Sequence, residues 1–303
     1  MPITRARWAK AHPTHGIESV EHLTSNTSHL TGQHCIVVGL GDTGLATASW
    51  LLAQGARVTV ADSRETPPNL AVLQEKLPQV ALRLGSFNVD TFADADLLVT
   101  SPGVPLATPE IAQQQAAGKN IVGDIELFAQ ALPQGKVIAI TGSNGKSTVT
   151  TMVAQMCEAA GQKTIMAGNI GVPVLSALAE CEESGLWPDV WVLELSSFQL
   201  EATSSLKPVA ATVLNVSEDH LDRYAGMKEY AQTKASIFAG AKVQVLNRED
   251  SYCVGMAEQA LETIWFGADT PRSDMEYGLV EQHGDFSLRL GDTELLKASE
   301  LPV

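Results

Sequence analysis

The sequence predicts an α/β protein made of two successive parallel-sheet units, and three observations predict it. Short apolar runs alternate with helical stretches from residue 33 to about residue 216. Two glycine-rich loops, 39–44 and 142–147, each stand between an apolar run and a helix. A length of 303 residues fits about two domains of ordinary size.

The elements follow in order. Residues 1–31 carry Arg5, Arg7, Lys10 and four of the seven histidines without apolar periodicity, and are expected to form a flexible, solvated extension. His15, His22 and His29 recur every seventh residue, but no carboxylate or cysteine joins them, so a metal site there is not expected. A first βαβ unit runs through a strand at 35–38, a glycine turn, a helix at 45–54 stopped by Gly55, and a strand at 57–61. Strands at 96–100 and 120–122 continue it, with a helix between them that starts at Thr108-Pro109, proline suiting a first helical turn. The first, Rossmann-like domain is therefore bounded at 32–122. The second, a P-loop-type parallel-sheet domain, covers 123–303. Its strands are expected at 136–140, 190–195 and 210–216, with a helix from the second glycine loop to residue 160. Beyond residue 241, short runs at 243–246 and 286–290 with turns at Gly267, Gly284 and Gly291 predict a small antiparallel sheet.

Composition narrows the functions. Twenty basic against 35 acidic residues give a formal charge of −15, a field that repels nucleic acid and anionic lipid. A phosphorylated ligand must then be held by local devices. Four cysteines, Cys35, Cys157, Cys181 and Cys253, form no Cys-x-x-Cys pair, which predicts neither a disulfide framework nor a zinc site and suits a reducing cytoplasm. Neither a membrane span nor a signal peptide is recognisable.

Five features carry chemistry. Gly39-Leu40-Gly41-Asp42-Thr43-Gly44 matches G-x-G-x-x-G between strand and helix, and Asp62 ends the next strand. Such glycines let backbone approach a diphosphate at a helix N-terminus, while the carboxylate accepts from a sugar hydroxyl. Thr141-Gly142-Ser143-Asn144-Gly145-Lys146-Ser147-Thr148 resembles a phosphate-binding loop shortened to G-x-x-G-K-S, because Ile140 stands where the first glycine of the longer motif would be. Glu194 ends an apolar strand beside that loop, where Mg²⁺ is commonly held. His220, in the segment 217–224, could ligate a metal or substrate or be an ordinary loop histidine. Lys234 falls on a helical stretch, where solvation is the default.

Taken together with Ser101-Pro102-Gly103, Gly123-Asp124-Ile125-Glu126-Leu127-Phe128, Gly168-Asn169-Ile170-Gly171, Glu194-Leu195-Ser196-Ser197-Phe198-Gln199-Leu200 and Asn215-Val216-Ser217-Glu218-Asp219-His220, these motifs resemble the Mur ligases over residues 33–303. Within that family the Rossmann-like first domain points to the branch that adds D-glutamate to UDP-N-acetylmuramoyl-L-alanine. The resemblance implies that the first domain binds the UDP moiety through Gly41, Asp42, Thr43, Asp62, Ser63 and Arg64. Asn169 and Gln199 would touch the muramoyl-alanine part. Gly142 to Thr148 would hold ATP, with Lys146 on its phosphates. One Mg²⁺ would be held by Ser147 and Glu194 and a second by His220, and Lys234 would be carbamylated into an anionic metal ligand. The implied enzyme is a cytoplasmic, monomeric ATP-dependent acid–D-amino-acid ligase of peptidoglycan precursor synthesis that works through an acyl phosphate. The family's third domain, which opens on a Gly-x-His-Asn-type segment, has no counterpart in residues 295–303, so the 303 residues are expected to be a truncated form with impaired activity. A non-catalytic module that binds the UDP-substrate and ATP is the alternative. A nicotinamide-dependent oxidoreductase accounts for the first loop and leaves the second unexplained.

Overall fold

The computed structural model describes residues 27–133 and 135–301. The expected extension, with His15 and His22, lies almost wholly outside the described residues.

The first unit is a five-stranded, all-parallel sheet of β1 (His34–Val38), β2 (Arg57–Asp62), β3 (Ala81–Leu84), β4 (Leu97–Thr100) and β5 (Asn120–Val122) in the order β3-β2-β1-β4-β5. Central β1 is buried along its whole length, as a strand covered on both faces must be, which explains its uninterrupted apolar run Cys35-Ile36-Val37-Val38. Helices α1 (Asp42–Ala53), α2 (Leu70–Lys76) and α3 (Pro109–Ala116) provide the crossovers. The strand order reverses between β1 and β4, which opens a crevice at their carboxyl ends. There, helix α1 begins at Asp42, inside the glycine motif and three residues earlier than expected. Gly44 is obligatory, because a Cβ there would overlap the Gly39 carbonyl oxygen.

After α4 (Asp124–Ala131), β6 (Lys136–Thr141), α5 (Lys146–Ala159), β7 (Thr164–Gly168), α6 (Val174–Ser184), β8 (Val190–Glu194), α7 (Ser197–Leu200), β9 (Ala210–Val213), α8 (Met227–Ala235), β10 (Val243–Asn247) and α9 (Ser251–Gly255) build a second sheet. It is completed by β11 (Glu262–Phe266), β12 (Glu276–Gln282), β13 (Asp285–Leu290) and β14 (Thr293–Lys297), in the order β14-β13-β12-β11-β10-β9-β6-β8-β7. Strands β7 to β12 and β6 pair in parallel, and only β12-β13-β14 are antiparallel. The antiparallel strands expected near the end are thus the edge of one mixed nine-stranded sheet. Strand β9 stops at Val213 rather than 216, because Asn215 and the residues after it leave the ladder to bond the second glycine loop.

One apolar cluster runs through both units. It joins Val37, Trp50 and Leu51 of the first to Phe128, Trp191 and Phe238 of the second, and the rings of Phe128 and Trp191 meet edge to face at 4.9 Å. Trp50 Nε1 and Gln54 Nε2 also donate to Glu182 of α6 at 3.1 and 3.0 Å. The four cysteines are unpaired. Among the described residues no helix is long and apolar enough to cross a membrane.

Candidate active site

A cleft of about 750 Å³ separates the carboxyl end of the first sheet from β7, α6 and α7 of the second unit. All the residues expected to contact the UDP-substrate line it: Gly41, Asp42, Thr43, Asp62, Ser63 and Arg64 on one wall, Asn169 and Gln199 on the other.

Asp62 is 2% exposed and organises its wall. Its Oδ2 accepts from the Leu40 N–H of the glycine loop at 2.7 Å and from Arg64 Nη2 at 2.7 Å, while Oδ1 accepts from Arg64 N and Nε. Burial pushes this carboxyl up, but the Arg64 hydrogen bonds and the Leu40 N–H outweigh it and hold Asp62 below the usual carboxylate range. With both oxygens engaged, Asp62 fixes the loop and aims Arg64, whose half-exposed guanidinium supplies positive charge in an acidic protein. Ser63 is exposed beside it. Asp42 sits in the first turn of α1 and accepts from Asn69 Nδ2 at 2.9 Å.

On the opposite wall, Gln199 is buried and nearly saturated. Its Oε1 accepts from Ser196 N at 3.1 Å, and its Nε2 donates to Asp124 Oδ2 at 3.3 Å. Asp124, at the start of α4, is 3% exposed, its Oδ1 has no protein partner, and burial raises its carboxyl to about 6. The string 123–128 contained this residue, but nothing in its spacing marked it as the partner of Gln199.

The second glycine loop follows β6. Its backbone is held from outside: Ser143 N donates to the Asn215 carbonyl at 2.9 Å, Asn144 N to Asn215 Oδ1 at 2.9 Å, and Ser143 Oγ to the Ser217 carbonyl at 3.0 Å. Gly145 caps α5, so that Ser147 and Thr148 stand exposed in the helix's first turn, where unpaired N–H groups favour anions. Lys146 folds back over the loop, its Nζ on the carbonyls of Gly142 and Ser143 at 3.0 Å each.

Glu194 connects the two regions. It ends β8, between β6 and β7, in register with Ile140 just ahead of the second glycine loop and with Gly168 on the cleft side. It is 1% exposed; Oε1 accepts from Asn169 Nδ2 at 2.8 Å, and Oε2 has no protein partner. A buried carboxylate oxygen without a donor is costly unless something else satisfies it. Gly168 permits the close approach, since any Cβ there would overlap the Glu194 carbonyl.

Lys234 is far from the solvated state that a helix lysine has by default. On α8 it is 1% exposed, with Nζ 2.9 Å from the Gly142 carbonyl, 3.4 Å from Thr141 Oγ1 and 4.6 Å from the Tyr230 ring centroid. Burial, reinforced by the charge of Lys146 and opposed by Asp219, lowers its amine from 10.5 to about 7. His220 is 45% exposed, lies 3.4 Å from Asp219 Oδ2, and packs its ring 4.6 Å from that of Phe198. Among the described residues no group of three or more His, Cys, Asp and Glu side chains gathers as a ready-made metal site. The donors expected for Mg²⁺ include a hydroxyl and a modified lysine, which such a grouping does not contain. A hydroxyl together with a carboxylate whose buried oxygen has no partner is a hard-oxygen set that suits Mg²⁺.

Comparisons with known proteins agree with this architecture. Residues 33–123 match the Mur ligase MurD-like N-terminal domain, and residues 140–298 match the Mur ligase middle domain. The UDP-N-acetylmuramoylalanine–D-glutamate ligase of Thiobacillus denitrificans is 53% identical over 289 residues, which cover 90% of this chain and 60% of the relative. That of Methylobacillus flagellatus is 50% identical, with 90% and 59% covered. The chain thus spans about 60% of the length of these relatives. Among solved structures, the UDP-N-acetylmuramate:L-alanyl-γ-D-glutamyl-meso-diaminopimelate ligase of Neisseria meningitides shares the fold at a TM-score of 0.56 and 17% identity, covering 87% of this chain and 86% of that one. The UDP-N-acetylmuramate–alanine ligase of Thermotoga maritima does so at 0.50 and 19%, covering 88% and 60%. Two domain matches in chain order, on the units that carry the two glycine loops, make this chain a member of the Mur ligase family.

Proposed function

We propose that the chain provides the sugar-nucleotide and ATP sites of a UDP-N-acetylmuramoyl-L-alanine:D-glutamate ligase. The observation that carries this reading is the position of Glu194, shared between the residue that faces the cleft, Asn169, and the strand that delivers the Lys146 loop. A substrate carboxylate emerging from the cleft would meet a triphosphate at that point.

In the proposed reaction the carboxylate of UDP-N-acetylmuramoyl-L-alanine attacks the γ-phosphorus of ATP and ADP leaves. The amine of D-glutamate then attacks the acyl carbon and inorganic phosphate leaves. Both anions repel each other, so the protein's task is positioning and charge neutralisation. Arg64 and the α1 N-terminus would hold the diphosphate, and Asn169 and Gln199 the lactyl-alanine end. Lys146 would exchange its loop carbonyls for phosphate oxygens. Mg²⁺, which Ser147 and Glu194 would hold at one position and His220 with carbamylated Lys234 at another, would supply further screening of the phosphate charge. Carbamylation requires an uncharged amine, and an amine lowered to about 7 supports it at Lys234.

Calorimetric titration of two variants tests the division of labour. Lys146→Ala should weaken ATP binding by about 10- to 100-fold and spare the sugar nucleotide. Asp62→Ala, which frees Arg64 and the glycine loop, should do the opposite. Equal loss of both ligands in either folded variant contradicts the reading.

A further inference from the structure

Residues 217–223 cross from one ligand region to the other. At one end Ser217 N donates to Ser143 Oγ, and Ser143 Oγ donates to the Ser217 carbonyl, both at 3.0 Å, which fastens the segment to the phosphate loop. At the other end Arg223 reaches across to the first unit: Nη1 donates to the Pro102 carbonyl at 2.8 Å, and Nη2 reaches the Val104 carbonyl at 3.5 Å. Pro102 and Val104 line the cleft, and their loop abuts the first glycine motif, Ser101 Oγ donating to the Gly39 carbonyl at 3.1 Å. Midway, His220 is held at a φ of 54°, a left-handed conformation that a non-glycine residue keeps only when its surroundings enforce it.

The Arg223 side chain is also held within its own unit, although its buried Nε has no protein partner. It pairs with Glu201 at 2.8 Å and stacks on Phe198 at 3.9 Å from the ring centroid. Glu201 also accepts from Tyr224 OH at 2.6 Å, and Phe198 touches His220. The other side-chain bonds between the units lie elsewhere, where Trp50 and Gln54 of α1 donate to Glu182 of α6. Among the described residues, the hydrogen bonds that grip the 101–104 wall from the second unit come from Arg223.

We infer that Arg223 is a positioning residue that couples the two ligand sites, so that ordering of the phosphate loop by nucleotide sets the wall of the sugar-nucleotide cleft. The inference rests on the assignment of UDP-substrate to the cleft and ATP to the Lys146 loop. Coupling of this kind is a free energy shared between sites and is reciprocal.

The test measures Kd for UDP-N-acetylmuramoyl-L-alanine on the 303-residue chain with and without saturating Mg²⁺ and a non-hydrolysable ATP analogue. Wild type should bind the sugar nucleotide about tenfold tighter when the analogue is present, a usual size for such coupling. Arg223→Ala should bind each ligand alone within about threefold of wild type, yet lose the enhancement. Arg223→Lys keeps a charge for Glu201 but has no planar fork for two acceptors, so it should also lose most of the coupling and replaces the alanine variant should that one not fold. Undiminished enhancement in the folded variants, or none in wild type, overturns the inference. Failure of wild type to bind either ligand would overturn the underlying functional assignment, and the inference with it.

Discussion

Lys234→Met separates a buried, neutral lysine from an ordinary one by its effect on stability as pH changes. The side chain is 1% exposed, and burial lowers its amine from 10.5 to about 7. A cation is therefore disfavoured in the folded protein, and the unfolded chain binds more protons between those values. By linkage, stability rises with pH from about 7 to about 10.5, and the penalty is largest below 7. A pKa change of that size amounts to roughly 4 kcal/mol at pH 7 and falls to about 1 kcal/mol at pH 9.5. Methionine is unbranched, has no charge to desolvate and fills a similar space, while the Gly142 carbonyl keeps its bond from Lys146. The variant should be more stable than wild type near neutrality, and its advantage should shrink by about 3 kcal/mol between pH 7 and pH 9.5. Urea unfolding followed by tryptophan fluorescence, in buffers freed of CO₂ so that no carbamate forms, measures this difference. A gap that stays constant to within about 0.5 kcal/mol would mean that Lys234 folds as a cation, and would refute the reasoning.

Further outcomes follow from other residues. With ¹³C-labelled bicarbonate near pH 8, wild type should show a protein carbamate resonance that Lys234→Arg lacks; a signal unchanged in the arginine variant removes Lys234 from that role. Gly168→Ala, at a φ of 107°, must displace the Glu194 carbonyl and should cost about 3 kcal/mol or more in urea unfolding. A loss below 1 kcal/mol, on the order of a surface change, would show that the close approach is not required. Asp124, raised to about 6 by burial, favours its protonated form in the folded state, so its contribution is present below pH 4 and is lost as pH rises through 6. Asp124→Asn should therefore melt above wild type at pH 7.5 by a margin that closes on acidification, and a margin independent of pH would count against a buried carboxylate there.

The sequence made legible whatever depends on local pattern. Fully buried strands such as β1 and β8 announce themselves as apolar runs, and glycine loops announce themselves because close backbone approach excludes every other residue. Helix α1 was harder to delimit, since Asp42-Thr43-Gly44 has poor helix propensity, yet an acidic residue in a first turn is favourable there and packing admits only glycine at 44. Strand β3, with the partly exposed Ala81-Leu82-Arg83-Leu84, has neither strict alternation nor a continuous apolar run, so it carries no local strand signal. The insertion of β8 between β6 and β7, which delivers Glu194 to its place, is a matter of topology that no local window contains. The same holds for Lys234: α8 reads as a polar helix, and only its packing against Thr141, Gly142 and Tyr230 strips the lysine of water. Arg223 and Glu201 gave no signal either, because the first is defined by carbonyls more than a hundred residues away.

On the proposed reading a sugar nucleotide and ATP would occupy two neighbouring sites at once, on either side of Glu194. Native mass spectrometry of the 303-residue chain with UDP-N-acetylmuramoyl-L-alanine, Mg²⁺ and a non-hydrolysable ATP analogue tests it most directly. A ternary complex with one of each ligand per chain is expected, from which Lys146→Ala loses the ATP analogue alone. Mutual exclusion of the two ligands, or displacement of the sugar nucleotide by NAD, would contradict it.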